Sequence, residues 1–243
     1  MSSPTATAVG TGARPIATLR TICHKSGDIP AISRRLIHPH VSIRITWLLL
    51  RIGVRNGDSV TIAMGIMGIA GAISMAGGSP AWWLTGVALS AGSWVMDHVD
   101  GEVLRYYGQS SKYGVLLDRL AHVIGNPLAF LCLGWSLGMP LLGSVSAIAM
   151  LGVMAVGLEA KLAGVDAYTP WLPRRRIFRK LYGVYWGSIM YGHGPVIWAC
   201  MVAAIAGNVL PYFFVLLAVS VCLNFVAALA TALIRAKLGE PGQ

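Results

Sequence analysis

The chain reads as an all-α, polytopic membrane protein: six transmembrane helices preceded by an interfacial amphipathic helix. Three observations predict that class. Hydrophobic residues make up 56% of the chain and charged residues only 12%, whereas a soluble domain carries about a quarter charged residues. Six apolar runs each approach the ~20 residues that a bilayer requires. The basic residues, which leave a net charge of +10, gather mainly in alternate connectors between those runs. In lipid each backbone N–H and C=O must be satisfied within its own segment, so such runs become helices.

Residues 1–28 are rich in Ser, Thr, Ala and Gly and lack the apolar stretch of a cleavable signal peptide. They are expected to form a flexible cytoplasmic tail. Residues 29–55 follow as a juxtamembrane segment. There Arg34, Arg35, Arg44 and Arg51 interleave with Ile32, Leu36, Ile43, Trp47, Leu48, Leu50 and Ile52, with Pro39 as an interruption. The near-helical spacing predicts an amphipathic helix lying on an anionic leaflet.

Residues 56–238 hold the six spans, at 58–77, 81–101, 114–137, 141–163, 184–207 and 210–234. Turn residues separate several of them: Gly77-Gly-Ser-Pro80, Gly138-Met-Pro140 and Gly207-Asn-Val-Leu-Pro211. The connector after the second span carries Arg105 and Lys112. The one after the fourth carries Arg174, Arg175, Arg176, Arg179 and Lys180, and the tail carries Arg235 and Lys237. The other three connectors are uncharged. An even number of spans places all the basic connectors on one side, and the positive-inside rule makes that side cytoplasmic, with both termini. Topology thus accounts for the positive charge without a nucleic-acid partner. Cys23, Cys132, Cys200 and Cys222 form no CxxC pair, so neither disulfide nor zinc is expected.

The chemistry concentrates in Asp97-His-Val-Asp100-Gly101-Glu-Val-Leu104-Arg105 and, eight residues on, Gly114-Val-Leu-Leu-Asp118-Arg-Leu-Ala-His122. An ionisable residue within a membrane helix is costly and marks a functional site. Asp97, Asp100, Gly101, Leu104 and Arg105 fall on one helical face. Gly114, Asp118 and His122, four apart, share another. A short connector makes the two helices antiparallel neighbours, so the acidic faces are expected to meet near the cytoplasmic surface. Close carboxylates repel unless a cation neutralises them. Oxygen ligands suit Mg2+ or Mn2+, which in turn bind phosphates. Gly101 and Gly114 leave room for a ligand to press on the helices, and Arg105 suits a phosphate oxygen. This is the pattern of a metal–diphosphate site.

The same stretch resembles the signature of the CDP-alcohol phosphotransferase (phosphatidyltransferase) family, D-x2-D-G-x2-A-R-x8-G-x3-D-x3-D, with every spacing kept from Asp97 to His122. Leu104 stands where the family has Ala, and His122 where it has the fourth Asp. Upstream, Arg55-Asn56-Gly-Asp-Ser-Val60-Thr61 is similar to the family's P-N-x-[hydrophobic]-T at the start of the first span, without the proline. The resemblance implies a transferase that moves a phospho-alcohol group from a CDP-alcohol to an alcohol or lipid acceptor hydroxyl and releases CMP, in phospholipid or polyol-phosphodiester synthesis. It implies Mg2+ or Mn2+ at Asp97, Asp100, Asp118 and His122, and a CDP pocket lined by Gly101, Arg105 and Gly114. It also implies a homodimer in a bacterial-type cytoplasmic membrane. His122 takes the place of the proposed general base. An imidazole is a better base than a carboxylate but removes one negative charge from the cluster, so a second metal would bind more weakly.

Other readings carry less. Arg174, Arg175, Arg176 and Arg179 serve first as a topology determinant, and second as a site for an acceptor phosphate. His98 points away from the Asp97 face and reads as solvated or interfacial. His193 reads as a packed histidine. Gly65, Gly68 and Gly71 read as contacts for close helix packing. A transporter would carry polar residues through the full membrane depth, but the outer halves of these spans are apolar. A degenerate, non-catalytic family member that binds nucleotide or acts as a scaffold is the alternative that His122 raises.

Overall fold

The computed structural model describes residues 38–109, 111–165 and 195–238, with Ile16, Thr18 and Leu19. All elements among these residues are helical. A π-helical turn, His38–Ser42, runs into α1, Ile43–Arg51. Then come α2, Gly57–Met75, and α3, Pro80–Tyr107. These are followed by α4, Lys112–Ser136, and α5, Pro140–Leu162. The last two described helices are α6, Pro195–Ala206, and α7, Leu210–Leu238.

Helices α2, α4, α5 and α7 are long and apolar enough to cross a membrane, and α6 is a shorter apolar helix. Helix α3 has 28 residues, but the acids near its C-terminal end dilute its apolarity. Residues 166–194, with the expected basic connector, His193 and the start of the fifth span, lie outside the described residues.

Local chemistry sets the helix ends. Pro80 and Pro140 open α3 and α5, where the missing N–H costs nothing. The Asn56 side chain accepts the Asp58 N–H at 3.0 Å and caps α2. Ser111 Oγ accepts the Gly114 N–H at 2.9 Å and caps α4. Gly108 closes α3 at φ +63°, the left-handed conformation that glycine adopts without strain.

Helix α2 is the hub, packed along both α3 and α4. Its glycines make this possible. A Cβ on Gly71 would stand 2.6 Å from Ser90 Oγ, one on Gly68 would stand 3.0 Å from Ser93 Oγ, and one on Gly65 would stand 3.3 Å from Ala121. Small residues let helix backbones approach where lipid supplies no hydrophobic drive. Helices α3 and α4, expected to be direct neighbours, instead have little backbone contact with each other. Side chains link them: Trp83 Nε1 donates to Ser136 Oγ at 3.1 Å, and His122 meets Asp97.

The apolar core lies among α4, α5, α6 and α7, around Phe130, Met150, Trp198 and Phe214. At the other end α1 lies on α3 through Ile43, Thr46 and Leu50, while Arg44, Leu48 and Arg51 are exposed. This is the amphipathic division the sequence predicts. Arg51 stacks over the Trp47 ring at 5.2 Å. Leu19, within the expected tail, is fully buried in the cluster formed with Ile43 and Leu50.

Candidate active site

Helix α3 carries Asp97 and Asp100, and α4 carries Asp118 and His122. His122 Nε2 lies 3.3 Å from Asp118 Oδ1 and 3.6 Å from Asp97 Oδ1. One donor atom from each of the three residues falls within 4.8 Å of the others, a cluster that could hold a metal ion. Asp118 Oδ1 is buried and makes no aligned hydrogen bond. The nearest nitrogen is His122 Nε2, and a divalent cation between Asp97 and Asp118 would relieve the repulsion of the two carboxylates. Two carboxylates fit a divalent ion such as Mg2+ or Mn2+, and an imidazole that joined them as a third ligand would favour Mn2+.

Asp100, expected in the same ligand set, lies beside that cluster rather than in it. Its Oδ2 accepts the Thr61 hydroxyl of α2 at 2.7 Å, and its Oδ1 accepts the Gly101 N–H. Thr61 is therefore part of the site. In the sequence it stands out only as the end of the Arg55–Thr61 motif.

The two motif glycines have different surroundings. At Gly101 a Cβ would stand 3.0 Å from Arg105 Nη1, so the guanidinium lies folded over the bare backbone. At Gly114 a Cβ would stand 2.5 Å from Asp58 Oδ1. Asp58 Oδ2 accepts from Ser111 Oγ at 3.0 Å, and Asp58 Oδ1 is buried without a hydrogen-bond partner. The glycine expected to make room for a nucleotide thus also makes room for Asp58. Leu104, the departure from the family's Ala, packs on Gly57, where a Cβ would stand 2.5 Å from its Cγ. The larger side chain fits because the chain has glycine at that point of α2.

His98, expected to be solvated or interfacial, is buried in an edge contact with Trp94, with ring centroids 4.6 Å apart. The indole shields it on the face of α3 turned away from solvent. Glu102, at an unspecified motif position, is fully buried. Ser42 Oγ donates to its Oε1 at 2.7 Å, and Thr46 Oγ1 donates to its Oε2. Two buried hydroxyls four residues apart, Ser42 just before α1 and Thr46 within it, are the signal for a polar partner. Arg174, Arg175, Arg176 and Arg179 lie outside the described residues.

An all-helical membrane bundle with an acid-and-imidazole cluster on two of its helices is the class defined by fold and site. The sequence profile of the CDP-alcohol phosphatidyltransferase family matches residues 57–226, and the chain belongs to that family. The fold is similar to that of Mycobacterium tuberculosis phosphatidylinositol phosphate synthase. With CDP-DAG bound, that structure gives a TM-score of 0.55 at 18% identity, covering 81% of this chain and 92% of the other. In complex with manganese and citrate it gives 0.54 at 18% identity, covering 81% and 88%. The apo form gives 0.55 at 21% identity, covering 78% and 95%. None of the curated proteins matches the chain.

Proposed function

We propose that the chain is a divalent-metal-dependent transferase that moves a phospho-alcohol group from a CDP-alcohol to an acceptor hydroxyl and releases CMP. The observation that carries the reading is the convergence of Asp97, Asp118 and His122 within 4.8 Å, inside the region that the family profile matches. Asp97 and Asp118 would hold the cation, with Asp100 beside them. When bound, the cation would stabilise charge on the diphosphate and on leaving CMP.

The remaining roles belong to the chain's own side chains. Arg105 is a fixed positive charge for a phosphate oxygen, lying on Gly101. The acceptor oxygen forms a bond to the β-phosphorus as the bond from that phosphorus to the bridging oxygen breaks, and CMP takes the electron pair. The acceptor's proton goes to His122 Nε2. That nitrogen faces both carboxylates, so they stabilise the resulting imidazolium. A nitrogen bound to metal cannot also accept a proton, so Nε2 serves here as base, not as ligand. We assign the site and both termini to the cytoplasmic side, from the placement of the basic connectors, and retain six spans.

The test is divalent-metal-dependent binding of CDP or CMP to the purified protein, alongside Asp100→Asn. Binding that requires Mg2+ or Mn2+ and is lost in the variant supports the site and warrants a screen for CMP release. A folded protein that binds no cytidine nucleotide with either metal overturns the reading.

A further inference from the structure

Glu102 has no role in the proposed reaction, yet it is fully buried in the turn of α3 that carries the site. Two residues along a helix are about 200° apart around its axis, so Asp100 and Glu102 leave α3 on opposite sides. Hydroxyls hold both. Thr61 of α2 donates to Asp100, while Ser42 and Thr46 at the start of the juxtamembrane helix donate to the two oxygens of Glu102. Gly101, with Arg105 over it, stands between the two acids.

Apolar contact alone would dock α1. Ile43 and Leu50 are buried with Tyr106 and Trp47 packed against them, and Ile45 and Leu49 pack by Val60, Val99 and Val103. Such contacts tolerate sliding and rolling. Burying a carboxylate is a poor way to add stability, and its best-attested use is to fix register. A hydroxyl pair at i and i+4 reading both oxygens of one carboxylate admits one rotation and one register of α1 on α3.

We propose that Glu102 is a positioning residue: by clasping the juxtamembrane helix through Ser42 and Thr46 it holds the Asp100–Arg105 turn in the orientation that receives the donor's diphosphate. This rests on the transferase reading above. It makes α1 part of the nucleotide site's frame as well as an amphipathic surface element.

The experiment titrates CDP in the presence of Mn2+ into the purified full chain, reading both dissociation constant and stoichiometry. The variants are Thr46→Val, Ser42→Ala with Thr46→Val, Thr46→Ser, and Thr46→Val on a Glu102→Ala background. Losing one or two hydrogen bonds to a carboxylate should raise Kd about five- to twentyfold with stoichiometry unchanged. Thr46→Ser should stay within about twofold of wild type, because it keeps the donor. On the Glu102→Ala background, Thr46→Val should have no further effect, because the pair acts as a unit. Unchanged Kd with lowered stoichiometry would mean that the clasp serves folding alone, and would overturn the proposal. So would unchanged Kd and stoichiometry in all variants, which would leave the transferase reading intact. Wild-type protein that binds no CDP overturns both.

Discussion

Thr61 Oγ1 donates to Asp100 Oδ2 across the α2–α3 interface at 2.7 Å. One partner lies at the start of the first long helix and the other in the second, 39 residues later. The bond keeps a buried carboxylate oriented beside the acidic cluster. Thr61→Val preserves shape and removes the donor. A hydrogen bond to a charged group contributes about 1.5–3 kcal/mol, so metal-dependent nucleotide affinity should fall roughly ten- to a hundredfold. Thr61→Ser should retain most of it. Titration of CDP with Mn2+ into both variants checks this, and equal affinity in Thr61→Val and wild type would remove Thr61 from the site.

His122 separates a base from a ligand. If Nε2 accepts the proton, His122→Ala should lower CMP release by about a hundredfold or more, the usual scale of general-base catalysis. Nucleotide affinity should then change only a few-fold. Parallel loss of Mn2+ binding, nucleotide binding and turnover would make His122 a ligand instead. His122→Asp restores the fourth acid of the family pattern, and should tighten binding of a second divalent ion as measured by Mn2+ titration.

Gly114 and Asp58 should behave as one unit. A methyl at Gly114 would meet Asp58 Oδ1 at 2.5 Å, with Ser111 Cβ at 3.3 Å. Overpacking of this kind costs about 1–3 kcal/mol, so Gly114→Ala should lower thermal stability. Asp58→Ala removes the opposing oxygen and should restore most of that loss in the double variant. Thermal melts of the two single variants and the double variant decide it, and strict additivity would show that the two positions do not share the space.

Leu104 and Gly57 form a second such pair. Leu104→Ala moves the chain towards the family pattern but vacates the space over Gly57. It should destabilise the protein by about 1–3 kcal/mol, less than a fully buried Leu→Ala, because Leu104 is only half-buried. Adding Gly57→Ala should recover part of the loss. A melt showing no recovery would mean that the void collapses by itself.

Much of the architecture was legible because lipid leaves few alternatives. Apolar runs located α2, α4, α5 and α7 to within a few residues, and Gly65, Gly68 and Gly71 were correctly read as helix contacts. Fixed spacing then brought Asp97, Asp118 and His122 together. The packing of α3 and α4 along α2 rather than along each other was not legible, since periodicity gives each helix a buried face but not the neighbour it faces. Glu102 was missed for a related reason. A glutamate in an unspecified motif position near a helix end looks solvent-facing until α1 is placed over it. His98 differs: its partner Trp94 lies one turn back on the same helix, but the spacing alone does not say that the indole covers the imidazole.

The acids of α3 have a consequence for how the protein is made. An Asp at the centre of an inserting helix costs about 2.5–3.5 kcal/mol at the translocon, and less towards an end; with three acids in its C-terminal part, α3 is a poorer candidate than α2 to enter the bilayer by itself. Its partner precedes it in the chain. α2 emerges from the ribosome first, and it carries the threonine that Asp100 requires and the glycine surface on which Ser90 and Ser93 settle. The order of synthesis therefore matches the order of need. Separating these two helices, or exchanging their positions in the gene, should impair membrane insertion before it impairs chemistry.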